Sequence, residues 1–108
     1  MKTLIRLAAL SGALAVIAGA FGAHGASGRA AEWLKTGAEY EMVHAVAALV
    51  AIKLARSGLA AVLLLAGSLV FAGTLYAMAL GAPHWLGAIT PLGGFAMIVG
   101  WVVLAVRA

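Results

Sequence analysis

The chain has 108 residues, of which 66% are hydrophobic and 9% are charged, and its formal net charge is +4. A soluble domain carries about 25% charged residues, and a domain this small cannot bury so much apolar surface. These values exclude a soluble enzyme and a disordered protein, and the absence of cysteine also excludes a secreted disulfide scaffold. The sequence predicts an integral membrane protein.

The first predicted span covers residues 4–23. Its small residues recur at steps of three and four, which predicts one helix face that packs closely on a neighbour; this row is Ala8, Gly12, Ala15, Gly19 and Gly22. The alternative is a cleaved signal peptide, with Ala20-Phe21-Gly22 as the cleavage site, which would leave three spans. The packing row favours a retained helix, because a discarded peptide does not need one.

The second span, residues 38–56, is the least apolar of the four. Its uncharged part is limited to residues 42–52, which is about 16 Å of helix and too short to cross a bilayer alone. A short interfacial helix over residues 30–40 is expected to lead into it. Glu41 lies at the edge of a face of small residues, so its carboxyl is expected to turn inward and meet a donor, with His24 as the favoured partner.

The third and fourth spans cover residues 59–80 and 86–106, and both are almost free of charge. Gly73 lies on a small-residue stripe of the third span. Thr90-Pro91 is typical of a helix start, and Gly93 and Gly100 form a packing stripe on the fourth span. We therefore predict close helix contacts at Gly12, Gly73, Gly93 and Gly100.

The basic residues predict the orientation of the four spans. Lys2, Arg6, Lys53, Arg56 and Arg107 share one side, and the other side holds only Arg29 and Lys35. By the positive-inside rule, both termini are cytoplasmic. No two basic residues are adjacent, so they do not form the clustered basic face that binds nucleic acid, and they are interpreted as anchors beside the lipid headgroups.

Four ordered motifs carry a resemblance to a known family: GAFGAHG at residues 19–25, YEMVHA at 40–45, FAGTLYAMAL at 71–80 and LGAITPLGGF at 86–95. Together they resemble domain-of-unknown-function family 423, small bacterial inner-membrane proteins related to the transmembrane protein 256 family. The resemblance implies a four-span membrane protein and no particular activity. The chain departs from the family pattern at Glu41, where the family often has glutamine, so no shared charge is implied there.

The candidate functional residues form a polar cluster toward the non-cytoplasmic side. Its members are His24, Tyr40, Glu41, His44 and Thr90. Histidines beside a carboxylate can relay protons or hold a metal, but they also form plain interhelical hydrogen bonds. No His-x-x-x-His or His-x-x-Glu-His pattern indicates a metal site, and no cofactor is predicted.

The sequence therefore predicts an all-α integral membrane protein, a four-transmembrane-helix bundle in a single membrane domain of the bacterial inner membrane. We expect a non-enzymatic structural or partner subunit, in contact with the lipid bilayer and present as a homo-oligomer or in a larger membrane complex. The alternative is a small oligomeric transporter or channel that uses the His/Glu cluster.

Overall fold

A computed structural model describes residues 1–107, and over that range the regular structure is entirely helical. Its elements in chain order are α1 (Lys2–His24), α2 (Gly28–Lys53), α3 (Gly58–Ala79), a 3-10 helix (His84–Ala88) and α4 (Thr90–Arg107). The predicted all-α class is confirmed. Three segments are long and apolar enough to cross a membrane, namely Lys2–His24, Gly58–Ala79 and His84–Arg107.

The predicted interfacial helix does not exist as a separate element. Residues 30–40 form the first half of α2, which runs without a break for 26 residues. The physical reason is that this stretch contains no proline and only one glycine, Gly37, which is too little to end a helix. The composition changes from charged to apolar near residue 41, but the helix continues through this position.

Short turns reverse the chain between the helices. Gly28, with φ of 62°, lies in the left-handed region that glycine adopts most easily, and it follows the extended Ser27 at the start of α2. At the next turn the Ser57 hydroxyl accepts a hydrogen bond from the Ala60 amide at 3.1 Å, which caps α3. These two turns are too short to let α1, α2 and α3 separate from their neighbours in the chain, whereas a longer connection with the 3-10 helix joins α3 to α4.

The helices pack mainly in chain order. α2 lies against both α1 and α3, and α3 lies against α4, whereas α1 meets α3 over a short stretch only. Within residues 1–107, α1 and α4 share no extended contact. The side chains of α2 and α4 meet across an apolar surface groove that includes Val46, Val50, Trp101 and Leu104.

The core is built largely from alanines, which let the backbones approach closely. The larger of two buried clusters lies at the end of the molecule that holds the termini and the 54–57 turn, and we call this the terminal end. It joins buried side chains of three helices, among them Ala8, Ala48, Ala51 and Leu64. A smaller cluster of Ala18, Leu34 and Ala38 lies at the opposite end.

Glycines make the closest helix contact, between α3 and α4. A Cβ added to Gly93 would lie 2.5 Å from the carbonyl oxygen of Gly67, and one added to Gly100 would lie 2.9 Å from the Leu64 side chain. These distances are too short for any side chain. The contact between α3 and α4, which we call the seam, therefore requires glycine at both positions.

The other two predicted packing glycines are not at close contacts. A Cβ added to Gly12 or Gly73 would meet no atom within 4 Å among the described residues. The expectation for these two positions is therefore corrected. Ala8, Ala15 and Gly22 of the predicted α1 row are buried, with Ser11 and Ala18 in place of Gly12 and Gly19. Gly67 is the α3 glycine at the contact with α4.

Candidate functional site

Glu41 lies at the centre of the molecule, and its side chain is fully buried, with 0% exposure. Two hydroxyl groups from neighbouring helices donate hydrogen bonds to its carboxyl. The Ser11 hydroxyl of α1 donates to Oε2 at 2.7 Å, and the Tyr76 hydroxyl of α3 donates to Oε1 at 2.8 Å. One side chain of α2 thus joins three helices.

The position of Tyr76 depends on Gly37, one helical turn before Glu41 on the same face of α2. A Cβ at Gly37 would lie 2.6 Å from Cε1 of the Tyr76 ring. The missing side chain therefore leaves space for the Tyr76 ring next to α2. From there the hydroxyl reaches the carboxyl of Glu41.

His44 forms a second polar contact, between α2 and α4. Its side chain is buried, with 6% exposure. Its Nδ1 lies 2.7 Å from the carbonyl oxygen of Tyr40, and the indole N–H of Trp101 donates to its Nε2 at 2.9 Å. The two rings meet edge to face at 5.7 Å between centroids.

These partners fix the tautomer of His44. A carbonyl oxygen can only accept a hydrogen bond and an indole N–H can only donate one, so the proton is on Nδ1 and Nε2 is an acceptor. A protonated imidazole would carry a hydrogen on both nitrogens and could not accept from Trp101. The arrangement therefore requires a neutral His44.

Ser11, Glu41, Tyr76, His44 and Trp101 together are called the polar core. They connect all four helices through three hydrogen bonds between side chains of different helices. Among residues 1–107, no buried side-chain nitrogen or oxygen is left without a hydrogen-bond partner. The polar core thus has the features of a saturated structural network, in which each buried polar group already has its partner.

Thr90 takes part in a separate contact at the start of α4. Its hydroxyl lies 2.6 Å from the Thr74 hydroxyl of α3 and 3.3 Å from the carbonyl oxygen of Leu86. This contact joins α3 and α4 at the end opposite the termini. Thr90 does not meet Glu41.

The predicted cluster is only partly assembled. Glu41 is buried as expected, and Tyr40 lies beside His44 with parallel rings 6.2 Å apart. His24, however, is exposed at the end of α1, and the predicted hydrogen bond between His24 and Glu41 or His44 is wrong. The physical reason is position along the helix, because Gly22 already packs near the start of α2, at Ala31 and Leu34, about two to three turns before Glu41.

The sequence reasoning missed three members of the polar core, Ser11, Tyr76 and Trp101. Ser11 lies beside Gly12 in the small-residue region of α1, and a hydroxyl among small residues was a usable signal. Tyr76 is the one tyrosine of α3, a helix without charged residues. Trp101 gave no signal of its own, because a tryptophan near a helix end is usually a membrane-interface anchor.

Comparison with known proteins places these residues in a family. The sequence profile of the DUF423 family, described as "Protein of unknown function", matches residues 18–94. The chain belongs to the DUF423 family. Glu41, His44, Tyr76 and Thr90 lie inside the matched range, and Ser11 and Trp101 lie outside it.

DUF423 relatives match over nearly the whole chain. The UPF0382 membrane protein YwdK of Bacillus subtilis is 42% identical over 100% of this chain and 97% of its own length. A UPF0382 membrane protein of Haemophilus influenzae is 42% identical over 94% of this chain and 89% of its own. The UPF0382 inner membrane protein YgdD of Escherichia coli is 36% identical over 99% and 89%. No solved structure matches this DUF423 chain. The protein is a helical membrane protein of an uncharacterised family, and the resemblance in its four motifs is confirmed.

Proposed function

We propose that this protein is a non-enzymatic, four-span membrane protein that serves as a structural or partner subunit, with its single domain held in the inner membrane. The observation that carries the proposal is the burial of Glu41, whose two carboxyl oxygens each accept a hydroxyl hydrogen bond from another helix. A carboxyl held in this way joins helices. Its 0% exposure leaves no opening through which a substrate could reach it.

The same observation argues against the transport alternative. A relay group in a transporter must exchange protons or ions with water or with the next polar group along a path. Glu41 has 0% exposure, and His24 and His84 are exposed surface residues that do not form a path toward it. His44 uses both ring nitrogens within the chain.

The packing of α2 supports the proposal of four spans, although α2 itself is not among the three segments long and apolar enough to cross a membrane. α2 lies between α1 and α3, two helices that are each long and apolar enough to span a bilayer. Its 26 residues extend about 39 Å at 1.5 Å per residue, which exceeds the roughly 30 Å of the hydrocarbon core. Two acidic residues lie near its middle: Glu41 accepts hydrogen bonds from both neighbouring helices, and Glu39 is exposed on the surface of the bundle.

We propose the orientation that the positive-inside rule predicts, with both termini cytoplasmic. The terminal end holds five of the seven basic residues. Single cysteines at the exposed positions Ser27 and Leu54 test it. In intact cells a membrane-impermeant thiol reagent is expected to label the cysteine at Ser27 and to reach Leu54 only after the membrane is permeabilised. Labelling of both from outside would contradict the four-span arrangement.

Flux measurements separate the structural proposal from transport. Proteoliposomes of the wild type are expected to show the same proton and cation leak as protein-free vesicles, and extraction in mild detergent is expected to yield a stable assembly larger than one chain. A leak that depends on the protein and disappears in Glu41→Gln would contradict the proposal. A wild type that is monomeric under every mild extraction would contradict the subunit role.

A further inference from the structure

A cleft of about 590 Å³ opens at the end of the molecule opposite the termini. It lies between the first turns of α2, the last turns of α3, the 3-10 helix and the start of α4. None of its lining residues belongs to the polar core. Its volume falls in the range of roughly 300–1,000 Å³ that is typical of small-molecule sites.

The cleft has two chemically different parts. Arg29, Trp33 and His84 line its polar part, and Arg29 and His84 are both exposed. Phe71, Leu75 and Met78 line its apolar part, along about 10 Å of α3 at 1.5 Å per residue. A ligand that fills both parts must carry a polar group at one end and a hydrocarbon body at the other.

The polar part is positively charged and ordered by aromatic contacts. The Arg29 guanidinium carbon lies 5.8 Å from the centre of the Trp33 ring, within the range of a cation–π contact. The same ring meets His84 edge to face at 5.3 Å. As far as the described residues 1–107 extend, no acidic side chain lines the cleft, so the charge complement must come from the ligand.

We propose that this cleft binds an anionic phospholipid of the surrounding bilayer, with the phosphate beside Arg29 and His84 and the upper part of one acyl chain against Phe71, Leu75 and Met78. Tryptophan and arginine side chains at helix ends are placed at the headgroup level of a membrane. The ligand therefore reaches the cleft laterally from the lipid leaflet. This site is independent of the proposed role of Glu41.

Two variants test the two parts of the cleft. Arg29→Gln removes the cation, and Lys35→Gln is its matched control, because Lys35 is an exposed basic residue of the same helix that does not line the cleft. Gly87→Leu fills the cleft, since a Cβ at this position would lie 3.9 Å from the Met78 sulfur, which is an ordinary van der Waals distance.

The experiment is native mass spectrometry of the full chain in detergent, titrated in separate runs with phosphatidylglycerol, with phosphatidylcholine of the same acyl chains, and with oleate. Thermal unfolding first identifies the variants that are folded. The wild type is expected to prefer phosphatidylglycerol. Arg29→Gln is expected to weaken that binding about fivefold, the factor for one basic side chain beside an anionic headgroup, and Lys35→Gln to leave it unchanged. Gly87→Leu is expected to weaken the binding of both lipids.

Three results would overturn the proposal. The first is equal affinity of the wild type for the two lipids. The second is an equal loss of phosphatidylglycerol binding in Arg29→Gln and Lys35→Gln, which would indicate a diffuse charge effect. The third is tighter binding of oleate than of phosphatidylglycerol, with the same dependence on Arg29, which would assign the cleft to free fatty acids. If Gly87→Leu does not fold, the comparison of Arg29→Gln with Lys35→Gln still tests the proposal.

Discussion

At the scale of single residues, two hydroxyl groups determine whether a buried carboxyl is tolerated. A polar group in a membrane interior cannot form hydrogen bonds with water, so each unsatisfied donor or acceptor there lowers the stability of the fold. Glu41 has both of its oxygens bonded, to Ser11 and Tyr76. Loss of a side chain that donates to Glu41 or His44 is therefore expected to lower the stability of the bundle.

Tyr76→Phe removes one of these donors without changing the shape of the ring. The free energy of unfolding in detergent is expected to fall by about 1 kcal/mol, the usual size of one interhelical hydrogen bond in a membrane protein. Tyr40→Phe is the matched control, because the Tyr40 hydroxyl has no hydrogen-bond partner within residues 1–107. Equal stability of Tyr76→Phe and the wild type would show that this bond contributes nothing.

Trp101→Phe tests the contact between α2 and α4. It keeps an aromatic ring beside His44 but removes the indole N–H, which leaves Nε2 of a buried imidazole without a donor. A loss of about 1 kcal/mol is expected on thermal unfolding. Trp85→Phe, at a ring that is 65% exposed, is expected to be neutral, and a larger loss for Trp85→Phe than for Trp101→Phe would contradict the assignment.

At the scale of helices, the α3–α4 seam depends on glycine more than the α1 face does. Gly93→Ala would place a methyl group 2.5 Å from the Gly67 carbonyl, so the helices must move apart. We expect a loss of about 1–3 kcal/mol, the usual cost of overpacking. Gly12→Ala meets open space and is expected to be neutral or up to about 1 kcal/mol stabilising, because alanine favours helix.

The measurement for this pair is the unfolding midpoint of each variant in the same detergent. A Gly12→Ala variant that is less stable than Gly93→Ala would contradict the packing described here. It would instead support the row of small residues that the sequence alone predicted for α1.

The sequence defines the helices well because hydrophobicity, turn residues and length are local properties. It does not define which residues of the α1 face lie deepest. The predicted and the buried rows share Ala8, Ala15 and Gly22, and the buried row has Ser11 and Ala18 where the prediction had Gly12 and Gly19. Only the contact with α2 decides between them.

The contacts of the polar core were also only partly predictable from the sequence, because they join residues that are far apart in the chain. The inward direction of Glu41 follows from its place beside the small-residue face of α2. Its partners could not be predicted, since the reach of Tyr76 depends on the space above Gly37 on another helix. His24 was favoured because it follows the small-residue row, but it lies too close to the α1–α2 turn to reach Glu41.

At the scale of the whole molecule, the four helices pack as successive pairs, and two groups of hydrogen bonds, at Glu41 and at His44, join α2 to the other three helices. α1 has little contact outside α2, so its attachment depends strongly on Ser11 and the alanine face. α4 is held by the glycine seam, by Thr74 and Thr90, and by Trp101. A change at Glu41 should therefore affect the packing of α1 and α3 at once.

The most direct test of the central claim, that Glu41 is a structural hydrogen-bond acceptor, is thermal unfolding of Glu41→Gln beside Glu41→Ala. Serine and tyrosine hydroxyls can donate or accept, so a glutamine amide can keep both hydrogen bonds, and Glu41→Gln is expected to stay within about 1 kcal/mol of the wild type. Glu41→Ala leaves two hydroxyls without a partner and a cavity between three helices, and it is expected to lose about 2–5 kcal/mol. A Glu41→Gln variant as unstable as Glu41→Ala, or a Glu41→Ala variant as stable as the wild type, would contradict the account.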